Sequence, residues 1–402
     1  MSRAIGIVVL LSALVPAAAD YSQPGVYDFA YRVEDIPGVY ETMEDSRLYY
    51  PDSSGSIPPS TAPCPVVVLG HGFMMDIDRY YSYAEHLASW GYVSVLPTFS
   101  NPIWTPEHYT RTRCMMDAAL YAAELGQTPG DPFYGKIDGT SWGFTGHSMG
   151  GGCAFLAADT FDLEDTLQVV VNFCSPQTTP PVESADLEVP KLVLAGSVDN
   201  IAPWEEVREA MWADAPAPGA FAVIAGANHG YCMDYSYWWE NGGTATITRQ
   251  EQQSVIRTYL TAYMERYLHG DTSPWNWEFC YGDSILLSPA MDSVEVRPES
   301  GTAGPSSVGF PVSGIASVCP NPFHATISVS YSLADPGRVR MTVLDLSGRT
   351  VAVLRDSYDD PGDHAVSWNG AGRLGAPVPP GVYLFRMEGP CGIDIQPVVR
   401  LD

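Results

Sequence analysis

Gly146-His147-Ser148-Met149-Gly150-Gly151 decides how this chain is read. The run before it, Thr140-Ser-Trp-Gly-Phe-Thr145, is short and β-prone. The run after it, Gly152-Cys-Ala-Phe-Leu-Ala-Ala158, is made of small residues and suits a helix. Strand, Gly-x-Ser-x-Gly, helix is the setting of a nucleophile elbow. The serine sits on a sharp strand-to-helix turn with strained backbone angles. Side chains at Gly146 and Gly150 would collide with the neighbouring strand and helix. The product is an exposed hydroxyl at a helix N-terminus, where the dipole favours developing negative charge.

A serine nucleophile needs a base within hydrogen-bond reach and an acid to orient that base. Behind such an elbow they follow in the order Ser, acid, His. The chain has eight histidines. His71, His86, His108 and His147 precede the serine, and His324 and His364 fall in a separate C-terminal region. His269 closes a long helical pattern just before Gly270, as a helix C-terminal residue does. That leaves His229, in the loop Gly226-Ala-Asn-His-Gly230 after the strand-like run Phe221-Ala-Val-Ile-Ala225. Lys191-Leu-Val-Leu-Ala195 reads as a buried parallel strand, and Asp199 leaves its C-terminal end. Active-site groups of parallel sheets collect at that edge. Asp162, Glu164 and Asp165 read as a solvated connection. Glu205 and Glu206 open a helix, where acids suit the dipole. Asp199 is therefore the candidate acid, with a helix N-cap as its plainer role.

An oxyanion needs two backbone N–H donors. One belongs to Met149, the residue after the nucleophile. The other is assigned to Phe73, in the loop Gly70-His71-Gly72-Phe73-Met74 that follows the strand Pro65-Val-Val-Val-Leu69. His71 reads as a packed loop residue. An aromatic insertion, Tyr231 to Thr248, follows the candidate base, and its Trp238 and Trp239, with His147 and Phe73, are the candidate substrate-binding residues. Trp104 is a further pocket candidate. The rings serve equally to cover the sheet edge.

From about Pro65 to His229 the chain resembles the α/β-hydrolase superfamily. Its Gly-His-Gly-Phe loop is similar to that of chlorophyllase and dienelactone-hydrolase relatives. Its Gly-x-Ser-Met-Gly-Gly-Gly run is similar to that of bacterial cutinases and poly(ethylene terephthalate) hydrolases. The resemblance implies a serine esterase of cutinase or lipase type with a Ser148–His229–Asp199 triad and a small or polymeric ester as substrate. It implies oxyanion donors from the aromatic matched by Phe73 and from the methionine matched by Met149. A peptidase or lactonase on the same scaffold, or a non-catalytic secreted binding protein, are the alternative readings. The implied fold class is α/β: a mostly parallel central sheet with helices on both faces, then a small all-β Ig-like sandwich.

The chain has 402 residues, room for two domains. Met1-Ser-Arg-Ala, an apolar run from Ile5 to Val15, and Ala17-Ala18-Ala19 read as a signal peptide at 1–19. A secreted or cell-surface bacterial protein is the expectation, with no membrane span because the apolar run is too short. The catalytic domain is expected at 20–283 and a Ser/Gly/Pro linker at 284–317. A sandwich at 318–402 follows, from its short alternating runs and turn residues. Pro320-Asn-Pro-Phe323, Asp345-Leu-Ser-Gly-Arg349, Trp368-Asn-Gly370 and Pro380-Gly-Val-Tyr-Leu384 resemble the sorting domain of the type IX secretion system and the FlgD-type Ig-like module. That resemblance implies secretion machinery as a partner.

Net charge is −27, and Lys136 and Lys191 are the only lysines. Such a polyanion repels nucleic acid and anionic membranes, so neither is an expected partner. Eight cysteines in an exported chain favour disulfides. Cys319 with Cys391 and Cys232 with Cys280 are the expected pairs, and Cys153 and Cys174 are expected to be free. No zinc spacing is present, and neither metal nor cofactor is expected.

Overall fold

The structure, a computed structural model, describes residues 20–99, 107–163, 165–299 and most of 314–401. The expected leader at 1–19, Trp104, the middle of the expected linker and the Cys319–Cys391 pairing lie outside what is described. The chain forms two compact units, divided between residues 304 and 305.

Among its described residues the first unit holds nine strands: β1 Phe29–Pro37, β2 Thr42–Pro51, β3 Cys64–Gly70, β4 Val93–Leu96, β5 Ile137–His147, β6 Leu167–Phe173, β7 Lys191–Gly196, β8 Gly219–Ile224 and β9 Met291–Arg297. They make one sheet in the order β1-β2-β4-β3-β5-β6-β7-β8-β9. The pairings from β4 through β8 are parallel, and β1, β2 and β9 add antiparallel edges. The α-helices among the described residues are α1 Tyr81–Ser89, α2 His108–Gln127, α3 Met149–Thr160, α4 Trp204–Met211, α5 Arg249–Tyr267, α6 Pro274–Cys280 and α7 Asp283–Leu286.

The strands are nearly continuous apolar runs because both faces are covered. In β3, Val66 and Val68 enter the core shared with α2, α3 and α4, while Val67 and Leu69 enter the core shared with α1, α5 and α6. The period-two geometry of a strand divides one apolar run between two cores.

One expectation is corrected here. Residues 284–297 are not linker. They form most of α7 and then β9, which pairs with β8 in register Gly219↔Arg297 to Ile224↔Met291. Met291-Asp-Ser-Val-Glu-Val-Arg297 alternates, and Ser288-Pro-Ala before it masked that signal. Glu295 takes hydrogen bonds from Arg208 and from Trp212 Nε1 at 3.0 Å, which fastens β9 to α4.

The second unit is two antiparallel sheets around one core. Three strands, β10 Gly314–Cys319, β11 Ile327–Leu333 and β14 Gly362–Trp368, form one sheet. β12 Gly337–Leu344, β13 Thr350–Asp359, β15 Gly381–Gly389 and β16 Gly392–Arg400 form the other in the order β13-β12-β15-β16. Val329, Tyr331 and Trp368 from the first meet Val339, Met341 and Phe385 from the second, consistent with a small β-sandwich. Among the described residues no helix is long and apolar enough to cross a membrane.

Candidate active site

Four parallel strands deliver the candidate residues to one edge of the sheet. β3 ends at Gly70 and leads into the loop with Phe73. β5 ends at His147 and leads into Ser148. β7 ends at Gly196, three residues before Asp199, and β8 ends at Ile224, five before His229. These are C-terminal strand ends, where helix N-termini and loops leave room for a ligand.

Ser148 adopts φ +52° and ψ −123°, a conformation that costs an L-residue energy and persists only when its surroundings enforce it. Three glycines do so. A Cβ on Gly150 would lie 2.1 Å from the Gly70 carbonyl oxygen, and one on Gly146 would lie 2.6 Å from it. β3, β5 and α3 thus touch backbone to backbone, which draws the Phe73 loop beside the Met149 turn. Met149 is the first residue of α3, so its N–H is among those a helix start leaves without an intrahelical partner.

Asp199 and His229 meet directly: Nδ1 of the imidazole lies 2.8 Å from Oδ2 of the carboxylate. The other carboxylate oxygen accepts the N–H groups of Ile201 and Ala202, each at 2.9 Å. Asp199 therefore holds the turn before α4 with one oxygen and His229 with the other, and it is not the N-cap of α4, a place taken by Pro203. An ionised carboxylate accepts and does not donate, so Nδ1 of His229 carries the proton and Nε2 is left basic. Ser148, Asp199 and His229 are 9%, 5% and 6% exposed. No described hydrogen bond joins His229 to Ser148. Their link is adjacency: the ring of His147, next to the serine, lies 4.5 Å from the ring of His229. Hydrogen bonds of this kind are commonly long before substrate binds.

His147 does not face substrate as expected. At 1% exposure its ring offers a ligand no surface. It stacks on Phe173, and its Nδ1 is 2.9 Å from Tyr80 Oη. Burial above all holds its pKa well below the usual histidine range, so it stays neutral. Sequence reading missed Tyr80. It lies 67 positions from His147, and nothing local marks it.

Trp238 and Trp239 are 81% and 61% exposed, and form a short 3-10 turn with Glu240. Tyr237 stacks on Trp239 with ring centroids 4.8 Å apart. Arg79, just beyond the Phe73 loop, pairs with Glu240 at 2.7 Å and lies over the rings of Tyr235 and Tyr237. Two residues on, a Cβ on Gly242 would lie 2.9 Å from Cβ of His229. The insertion is thus held both to the segment after Phe73 and against His229. A cavity of about 780 Å³ between the N-terminal segment, α1 and α5, lined in part by Glu85, His86 and Arg257, touches none of Ser148, Asp199 or His229.

The expected Cys232–Cys280 bridge is absent. Cys280 packs in α6 against the Ala262 carbonyl of α5, whereas the Cys232 sulfur lies 3.4 Å from that of Cys174, at the end of β6. Both are free thiols. The Cys232 contact, and then burial, push the Cys174 thiol well above its usual range.

An elbow serine at the start of a helix, with a buried Asp–His pair beside it on a mostly parallel sheet, defines the class: an α/β hydrolase. The chain belongs to the PET hydrolase-like family, whose model matches residues 28–292. No curated protein matches it. Membership makes the first unit a hydrolase domain, and β9, left outside the expected domain, begins inside the matched span.

Proposed function

We propose that this chain is a secreted serine esterase that cleaves carboxylic esters, polyesters among them, through an acyl-enzyme. The observation that carries the reading is the 2.8 Å Asp199–His229 hydrogen bond beside the elbow of Ser148. Nε2 of His229 takes the Ser148 proton as Oγ attacks the ester carbonyl. The tetrahedral oxyanion is received by the Phe73 and Met149 N–H groups. Imidazolium, stabilised by Asp199, returns the proton to the leaving alcohol. Water then repeats the sequence on the acyl-enzyme. Family membership supports an ester or polyester substrate. Tyr235, Tyr237, Trp238 and Trp239 support a flat, aromatic one, because an exposed apolar patch of this kind marks an interaction site. In this reading the leader directs export, and the C-terminal sandwich engages secretion machinery.

The test is hydrolysis of p-nitrophenyl esters and release of soluble aromatic acid from amorphous poly(ethylene terephthalate) film. Ser148→Ala should retain its circular dichroism and lose turnover on the order of a millionfold, as triad serines do. Retained turnover in pure Ser148→Ala protein would overturn the reading.

A further inference from the structure

Gly72, between the end of β3 and Phe73, is held from both sides. Its carbonyl oxygen lies 2.9 Å from Nδ1 of His71 and also accepts the N–H of Met75 at 3.1 Å. Its own N–H donates to Tyr80 Oη at 3.1 Å. The far nitrogen of His71, Nε2, accepts the backbone N–H of Phe99 at 3.0 Å. A backbone N–H only donates, so Nε2 carries no proton. In the neutral ring Nδ1 carries it and donates to Gly72. His71 is 1% exposed, and burial lowers its pKa to about 4, so the ring stays neutral at ordinary working pH.

The Gly72 carbonyl and the Phe73 N–H belong to one planar peptide unit. Fixing the oxygen fixes the direction of the N–H on the opposite side of that plane. The Tyr80 oxygen that receives Gly72 also bonds His147, the neighbour of Ser148. Loop and elbow are therefore referenced to each other. A side chain at Gly72 would enter this clasp, because its Cβ would lie 3.0 Å from Tyr80 Oη and 3.3 Å from His147 Nδ1.

We propose that His71 is a positioning residue of the oxyanion hole: anchored on Phe99, it aims the Phe73 N–H at the developing oxyanion, with Tyr80 holding the other side of Gly72. The proposal rests on the esterase reading and goes beyond it. Losing one oxyanion donor costs roughly 10²–10³ in kcat, and a misaimed donor loses part of that.

The test compares His71→Leu, His71→Asn and Tyr80→Phe with the wild type on p-nitrophenyl butyrate, with rates taken per active site titrated by diethyl p-nitrophenyl phosphate. His71→Leu should lower kcat about 10–100-fold with KM within about twofold, the pattern of an interaction made in the transition state. Affinity for phenylboronic acid, whose serine adduct is tetrahedral, should fall in the same proportion. His71→Asn, which keeps one donor and one acceptor, should recover most of the loss, and Tyr80→Phe should show a smaller loss of the same kind. An unchanged kcat per titrated site in His71→Leu, or a loss carried by KM with boronate affinity unchanged, overturns the proposal. If His71→Leu does not fold, His71→Asn and Tyr80→Phe decide it: wild-type kcat in Tyr80→Phe overturns it. Failure of the esterase reading is seen separately, in the wild type and Ser148→Ala alone.

Discussion

At Asp199 one carboxylate does two jobs. Oδ1 takes the Ile201 and Ala202 N–H groups, and Oδ2 takes the imidazole of His229. Asp199→Asn keeps an oxygen for the turn but can present an NH₂ to Nδ1. That forces the wrong imidazole tautomer. Stopped-flow or steady-state assays should show kcat lower by about 10⁴ with the thermal midpoint nearly unchanged, the magnitude known for this exchange in a serine-protease triad. A loss below about tenfold would remove Asp199 from the acid's role. Gly150→Ala should fail differently. Its Cβ would lie 2.1 Å from the Gly70 oxygen, so the elbow must open, at a cost of about 2–3 kcal/mol or more. Thermal unfolding should show the loss, and activity should fall with it. The strand-end positions of Ser148, Asp199 and His229 were legible in the sequence because each follows a strand signal at a predictable edge. Tyr80 and the inward turn of His147 were not, because a contact across 67 positions leaves no local pattern.

Among the elements, β9 closes the sheet. Without it β8 would present its hydrogen-bonding edge to water or to another chain. A chain ending at residue 283 should therefore be poorly soluble or unstable, while one ending at 304 should fold and keep the activity of the first unit. Size-exclusion chromatography and ester turnover of the two truncations check this, and equal behaviour would deny β9 its role. The aromatic insertion is a second element-scale case. Arg79 crosses from the segment after Phe73 to Glu240 and the Tyr235 and Tyr237 rings. The pair is largely buried, so removing one partner leaves a charge uncompensated. Glu240→Gln should loosen the Trp238–Trp239 turn and slow release from polyester film several-fold, with p-nitrophenyl butyrate turnover nearly unchanged. Equal losses on both substrates would place the insertion in the chemistry instead. The insertion's composition was plain in the sequence. Its anchoring was not, since Arg79 lies 161 positions from Glu240.

The whole molecule should be acid-sensitive through its buried histidines. His71 is lowered to about 4 and His86 to about 3 from an ordinary 6.5, in both cases first by burial. His147 is lowered as well. Between those folded values and about 6.5 the unfolded chain binds more protons than the folded one, so stability rises with pH in that window. Their contribution is fully present above about 6.5 and is lost as pH falls toward 4. The His71 shift alone corresponds to about 3 kcal/mol. Glu85, Asp159 and Asp234, raised by burial, act in the opposite direction. They are only partly buried, so the histidines prevail. The thermal midpoint of the first unit should drop by on the order of 10 °C from pH 7 to pH 4.5, and a flat or rising profile would contradict this.

The sequence by itself determined the strand-to-helix elbow at Ser148, the strand-end places of Asp199 and His229, the alternation that builds a parallel sheet covered on both faces, and the short alternating strands of the second unit. These are local signals: glycines where backbones touch, apolar runs of strand length, turn residues between them. Only the tertiary structure decided that Cys232 meets Cys174 rather than Cys280, that His147 turns inward to Tyr80, that His71 grips the loop before Phe73, and that residues 291–297 close the sheet. Each of these joins segments far apart in the chain or rests on which way a side chain points. Such contacts are set by the packing of whole elements, which no window of neighbouring residues records.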